Sequence, residues 1–301
     1  MSDSTPRITD EAIEKLRARI GIPEPHPAPP HYLRPGEDAF RHVAEAYGDD
    51  NPLYCDPDYA AGTRWKSAIA PPLLVGGDTL IGEDEVPEIP EEQKALMRGD
   101  PLRGVHAFYS GSFHEWWAPL RPGKRLKRRN ALVGVGDKKS EFAGRAVHEW
   151  TAQVFGEENG PALAGQYRLM IRTERKEARV RSKKEVPTPE PYTQEQIEEI
   201  DELYRNETVR GADPRHFEDV EEGDVVGPIV KGPLTVTDMI CWHVGVGMGL
   251  YGVKALRLGF ENRQRIPRFY HPDELGIPDV MQRCHWDPAY ARKAGNPTTY
   301  D

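Results

Sequence analysis

Four strand-length stretches follow one another between Gly104 and Lys176, and nothing else in the 301-residue chain constrains the fold as tightly. They read VHAFYSGSFHEWW, KRLKRRNALVGVG, SEFAGRAVHEWTAQVFG and ALAGQYRLMIRTER, separated by Arg-Pro-Gly, Gly-Asp-Lys-Lys and Glu-Asn-Gly-Pro turn signals. Strands joined by such short turns run antiparallel, so this region predicts an antiparallel sheet. What precedes it reads as helical. Thr9 can cap a helix with Ile13, Leu16 and Ile20 on one face and Gly21 at its end, and a Pro-rich connector then runs from Ile22 to Pro35. Phe40, Val43, Ala44 and Tyr47 recur at helical spacing, and a short helix is predicted over Asp58 to Lys66. The fold class is α+β, with a helical front followed by a sheet.

Composition narrows the function classes. Forty basic residues against 49 acidic ones give a net charge of −9, which argues against nucleic acid or an anionic membrane as the main partner. Three cysteines, Cys55, Cys241 and Cys284, form no CxxC pair, so neither a disulfide framework nor a thiolate zinc site is indicated, and no metal is expected. The polar N-terminus is not a signal peptide, and no run of about 18 apolar residues appears. These features predict a soluble cytoplasmic enzyme or binding protein.

The second half reads differently. Lys183 to Tyr192 is a linker, Thr193 with Gln196 makes a capping box before Ile197, Ile200 and Leu203, and Phe217 to Lys231 is expected to turn as a hairpin at Gly223-Asp224. Thr235 to Asp238 starts a helix, and helical or irregular sequence is expected from there to His285. His285-Trp-Asp-Pro-Ala-Tyr-Ala291 repeats the layout of Tyr54-Cys-Asp-Pro-Asp-Tyr-Ala60, which suggests two copies of one unit. Only 16 residues follow His285 (301 − 285), so the second copy is expected to lack its sheet.

The first of these copies lies in a polar cluster between helix and sheet. Gly48-Asp49-Asp50-Asn51-Pro52-Leu53-Tyr54-Cys55-Asp56, followed by Ala60 and Ile69-Ala70, resembles the active-site segment of MaoC-like dehydratases and type-2 enoyl-CoA hydratases. The resemblance implies a hot-dog fold, an antiparallel sheet wrapped around a long helix, with one complete unit over residues 35–180 and a partial second unit over 215–301. Residues 1–34 would be an N-terminal helix and connector, and 181–214 a linker with a helix. It also implies an acyl-CoA substrate, no resident cofactor beyond that coenzyme A thioester, and addition or removal of water. An incomplete second sheet implies a second polypeptide that supplies the missing strands, since open strand edges are costly to leave exposed.

Such chemistry needs a base, an acid and N–H donors for the thioester oxygen. Asp49 can hold or activate water and Asn51 can orient it, whereas Tyr54 stands where the family has histidine and is a poor base at neutral pH. Pro71 and Pro72 replace the family's His-Gly and have no N–H to offer. The first unit is therefore read as the substrate-holding half. His285 occupies the position of Tyr54, but Val280 stands five residues before it, where Asp49 precedes Tyr54. Lys124, Arg125 and Arg128 are candidate contacts for coenzyme A phosphates, and Trp116 can line an acyl pocket.

Each signal has a plainer reading. Asp49-x-Asn51-Pro can be an Asx-capped turn, the 124–129 basic run a solvated strand, His285 a structural histidine, and Trp116 with Trp117 sheet packing. Gly247-Met-Gly249-Leu-Tyr-Gly252 satisfies GxGxxG after Met239–Val244, which can pass as a strand. Three functions follow: a hydratase or dehydratase subunit, a noncatalytic acyl-CoA-binding or scaffold subunit, and a nicotinamide-dependent oxidoreductase.

Overall fold

The computed structural model describes residues 6–25, 30–76, 81–140, 144–174, 190–208, 210–211, 213–225, 227, 229–246, 256–294 and 299. The chain groups into two units, Met1–Glu185 with Cys241–Met281, and Val186–Ile240 with Gln282–Asp301. Residues 215–301 are thus divided between the two units.

In the first unit, helix α1 (Asp10–Arg17) starts where Thr9 accepts a hydrogen bond from the Ala12 N–H, and its acidic first turn and basic last turn complement the helix dipole. Ile13 and Leu16 bury against Leu102, Val105 and Val147. Helix α2 (Glu37–Ala46) follows the connector. After it come α3 (Pro52–Cys55), α4 (Pro57–Gly62), a 3₁₀ turn at Pro72–Leu74, strand β1 (Glu83–Asp84) and α5 (Glu91–Leu96). Prolines open α3, α4 and the 3₁₀ turn, so this layer is a series of short turns. The helix expected over 58–66 ends at Gly62, because Thr63 is extended and Lys66 takes a left-handed φ of 59°.

Strands β2 (His106–Trp116), β3 (Leu126–Ser140), β4 (Gly144–Glu157) and β5 (Ala162–Thr173) form the antiparallel sheet, in the order β1-β3-β4-β5-β2. The Gly136-Asp-Lys-Lys139 stretch is not the turn it was expected to be. It continues β3, with Asp137 opposite Val147 and Lys139 opposite Arg145, and the Arg145 guanidinium clamps Asp137 at 2.7 Å. Phe40, Val43 and Ala44 of α2 are fully buried, in one core with Leu126, Phe155, Leu163 and Ala164 of the sheet. Burying side chains such as Phe40 and Val43 stabilises by about 1.5–3 kcal/mol each.

The two sheet edges differ. The outer edge of β3 is covered by the N-terminal connector, through Gly21 N–H to Leu132 O and Glu24 N–H to Asn130 O, and by β1, which runs parallel to it. The basic run of β3 meets a row of acids there. Glu83 pairs with Lys127 at 2.6 Å and Arg125 at 2.7 Å, Asp84 with Arg128 at 2.8 Å, and Glu85 with Arg129 at 2.9 Å. The other edge belongs to β2, which pairs with β5 and with no further strand among the described residues.

In the second unit, α6 (Gln194–Arg205) carries the expected capping box, with Gln196 N–H to Thr193 Oγ1 and Thr193 N–H to Gln196 Oε1. The hairpin expected over 217–231 is not found among the described residues. A 3₁₀ turn at Phe217–Asp219 stands there, and Phe217, Val225 and Ile229 are all exposed, so no apolar face holds a strand in register. Helix α7 (Val236–Gly245), whose residues from Cys241 on belong to the first unit, begins as expected, capped by reciprocal bonds between Thr235 and Asp238, and it contains Met239–Val244. That stretch is therefore helix and not the strand a dinucleotide site would need, and Gly247, Gly249 and Gly252 lie outside the described residues. The expectation of helical or irregular sequence up to His285 misses a small hairpin. After α8 (Arg257–Arg265), strands β6 (Tyr270–Pro272) and β7 (Pro278–Val280) pair antiparallel in the first unit. Helix α9 (Pro288–Ala294) closes the described chain apart from residue 299.

Two outcomes test this description. The Glu83 carboxyl is held down to about 2 by hydrogen bonds from Lys127 and Arg125 and by their charges, against an ordinary value of 4.5. A depressed carboxyl stabilises the fold above its unfolded value and loses that contribution as pH falls through the folded one. Glu83→Gln should therefore lower the thermal midpoint at pH 6, and the gap from the parent should close between pH 4.5 and 2 in a melting series. Gly48 has φ +81° with no atom within 4 Å of an added Cβ, so Gly48→Ala should cost about 1–2 kcal/mol in urea unfolding from backbone strain alone.

Candidate active site

Asp49 is placed by the end of α2. Gly48 turns left-handed, its N–H bonds to Glu45 O, and the Asp49 N–H reaches back to Ala44 O, the paired bonds of a Schellman ending. Asp49 Oδ1 then accepts from the Asn51 N–H at 3.0 Å and Oδ2 from the Tyr47 hydroxyl at 3.3 Å. Asn51 is the N-cap of α3, its Oδ1 accepting from the Leu53 N–H at 3.0 Å, and Tyr54 lies half-buried on the same helix. The Asx-capped turn is thus present, and it gathers Asp49, Asn51 and Tyr54 around one carboxylate.

Electrostatics fix the protonation of its neighbours. Burial raises the Tyr54 hydroxyl above its ordinary value, and the charge of Asp49 adds to this. Tyr47 is raised by burial, by Asp49 and by its hydrogen bond to that carboxylate. Burial also raises the Cys55 thiol, with Glu45, Asp49 and Asp50 adding to it, and the thiol approaches Asp49 O at 3.7 Å. At neutral pH two phenols and a thiol surround the carboxylate, all carrying their protons. Trp242 of α7 meets Tyr47 edge-on at 6.0 Å, and a methyl group at Gly245 would overlap Ala46. Glycine at 245 lets the last turn of α7 lie directly against α2.

The remaining candidates lie elsewhere. Arg128 is 1% exposed and bound to Asp84, and Arg125 is shared by Glu83 and Glu158, so their charges answer internal carboxylates. Lys124 is half-exposed and 3.4 Å from Glu157. The missed partners are Glu83, Asp84 and Glu85, three consecutive acids that the parallel pairing of β1 brings beside the basic run. Trp116 donates Nε1 to Pro72 O at 2.9 Å and Val75 O at 2.8 Å, and so fastens the Pro72–Val75 turn to β2. His285 ends the 3₁₀ turn Met281–His285 in the second unit. The repeat around it is a shared local motif: Asp56 accepts from Asp58 and Tyr59 N–H groups ahead of α4, Asp287 accepts from the Tyr290 N–H ahead of α9, and Ala60 and Ala291 are both fully buried. Sequence reading also passed over Tyr47, whose hydroxyl holds Asp49. Its place on the apolar stripe of α2 gave no sign of a polar role.

Comparison with known proteins agrees with this geometry. Residues 36–154 match the family model for the FAS1-like, dehydratase domain region. A UPF0336 protein of Streptomyces avermitilis is 27% identical over 137 residues, covering 46% of this chain and 83% of that protein. A probable enoyl-CoA hydratase alpha subunit of Thermomonospora curvata is 26% identical over 160 residues, covering 50% of this chain and 49% of the relative. Among solved structures, a MaoC-like dehydratase superposes with a TM-score of 0.54 at 16% identity, covering 94% of this chain and 73% of that one. Residues 36–154 are thus similar to the FAS1-like dehydratase domain region, and the chain shares the hot-dog fold of a MaoC-like dehydratase.

Proposed function

We propose that this chain is the substrate-holding subunit of an acyl-CoA hydratase or dehydratase, and that a second polypeptide completes its active site. The observation that carries the reading is the Asp49 cluster, a carboxylate fixed by Tyr47 and Asn51 inside the segment matched to the dehydratase region. Hydration of an enoyl thioester forms a bond from water oxygen to C3 while a base takes the water proton, and C2 then receives a proton as the enolate collapses. Asp49 is an acceptor suited to the water, and Tyr54 is a protonated donor that cannot replace an imidazole base at neutral pH. No cofactor enters this scheme, and coenzyme A is the carrier of the substrate.

Two features support a partner. The 11-residue edge strand β2 leaves its outer N–H and C=O groups without a neighbouring strand among the described residues. It also exposes Phe108, Tyr109 and Phe113, an apolar edge of the kind that invites strand addition. The name of the Thermomonospora curvata relative, an alpha subunit, fits the same arrangement. A noncatalytic acyl-CoA-binding subunit is the second reading, favoured because the Asn51 carbonyl is committed to the Leu53 N–H and both Asp49 oxygens already accept hydrogen bonds. The helical state of Met239–Val244 removes the support for a nicotinamide site.

The test is purification through a tag on this chain, followed by hydratase assay of whatever assembly is recovered. A stoichiometric second polypeptide is expected, and Asp49→Asn in that assembly should lower turnover by at least about a hundredfold with Tm unchanged. His285→Ala is assayed separately in the same assembly. Full turnover in both variants would leave the noncatalytic reading standing, and a stable lone monomer that binds acyl-CoA would remove the partner.

A further inference from the structure

The core-facing side of the sheet carries a polar row that the Asp49 cluster does not use. Asn130 of β3 lies opposite Gln153 of β4, Gln153 opposite Gln166 of β5, and Gln166 opposite His114 of β2. Directly opposed residues of an antiparallel ladder share a face, so the four side chains form one line across all four long strands. The neighbouring row, Arg128, Phe155, Ala164 and Trp116, belongs to the core side, which identifies the face.

Two members of this line each have a buried nitrogen without a hydrogen-bond partner. Gln166 is 1% exposed and its Nε2 has no hydrogen-bond partner, nor does the buried Nδ1 of His114. Beside them the Nε of Arg168 is also buried and unbonded. A buried donor left unsatisfied costs about 1–3 kcal/mol, so three of them side by side are a costly arrangement for a core and a suitable one for binding an oxygen. His114 is held for that role. Its ring stacks on Trp116 at 5.6 Å and 9°, and its Nε2 lies 2.6 Å from Ser112 Oγ, so a hydroxyl donating to Nε2 leaves the ring proton on Nδ1. The Pro72–Val75 turn, fastened by Trp116, brings Gly76 against the same spot: a Cβ there would lie 3.9 Å from His114 Nδ1 and 3.5 Å from Ala164 Cβ.

We propose that Gln166 Nε2 and His114 Nδ1 form a receptor for the carbonyl oxygen of an acyl thioester, doing with side chains what the backbone at Pro71-Pro72 cannot. The inference rests on the acyl-CoA reading above and adds the residues that hold the substrate carbonyl. Arg168 borders the pair and gives the receptor a positive field, which favours the partly negative carbonyl oxygen. The role is binding and positioning, with no bond made or broken at these residues.

The experiment compares octanoyl-CoA with S-octyl-CoA, a thioether of the same chain that lacks the carbonyl, by titration calorimetry on the full chain and on Gln166→Leu. The parent should bind the thioester about tenfold more tightly, the equivalent of 1.4 kcal/mol. Gln166→Leu should bind the two analogues alike, and its Tm should not fall, because it removes an unsatisfied buried amide. His114→Phe, which keeps the stack on Trp116, should lose the preference as well. Equal binding of both analogues by the parent, or a preference that survives in both variants, overturns the receptor and leaves the acyl-CoA reading intact. Binding of neither analogue by the parent overturns that reading and the receptor with it.

Discussion

The contact between α2 and the sheet is the constraint on which the rest depends. Phe40, Val43 and Ala44 are fully buried in one core with Leu126, Phe155, Leu163 and Ala164, and truncating a residue such as Phe40 to alanine costs about 3–5 kcal/mol in comparable cores. That contact fixes where α2 ends. The ending fixes Gly48, and the left-handed turn at Gly48 aims the Asp49 N–H back at Ala44 while its carboxylate faces Tyr47 and Asn51. Asp49, on an irregular turn, is therefore positioned by the apolar stripe of the preceding helix.

Strand periodicity and helix caps were legible because they are local. The four strands, the Thr9 cap, the Thr193-Gln196 box and the Thr235 start all follow from residues within a few positions of one another. Features that depend on distant partners were not legible. Gly136-Asp-Lys-Lys139 has the composition of a turn, yet it stays in β3 because Arg145 stands across from it and clamps Asp137. The 217–231 stretch has the turn signal of a hairpin, yet Phe217, Val225 and Ile229 are all exposed. The acids beside Lys124, Arg125 and Arg128 could not be read from the basic run, because a single strand does not reveal which acids will lie beside it. The parallel pairing of Glu83 and Asp84 with Lys127 and Arg128 is a tertiary fact.

The same ladder explains why the two edges of the sheet differ in kind. Along β3 the backbone groups are met by the 21–24 connector and by β1, and the side chains by a run of opposite charge, so that edge is closed to another chain. Along β2 the edge is long, aromatic and without a row of charges. Trp116 and His114, near its end, face the core side, while Phe113 lies opposite Tyr167 on the other face. A chain adding to β2 would thus cover an apolar edge next to the polar row.

The repeat between Tyr54–Ala60 and His285–Ala291 shows how far a motif can be taken as chemistry. Both copies fold alike locally: an aspartate caps a helix, a proline opens it, and an alanine one turn on is fully buried. The aspartate and proline of the motif are accounted for by helix initiation alone. What separates the copies lies upstream. Before Tyr54, a glycine-ended helix delivers a carboxylate held by a tyrosine hydroxyl, whereas five residues before His285 stands Val280, a strand residue that is 1% exposed. A side chain at that position of β7 faces the interior, and an aspartate there would be a buried charge needing a partner of its own. The two stretches share a helix start and differ in the residue five positions before Tyr54 and His285, an acid in one and a packed valine in the other.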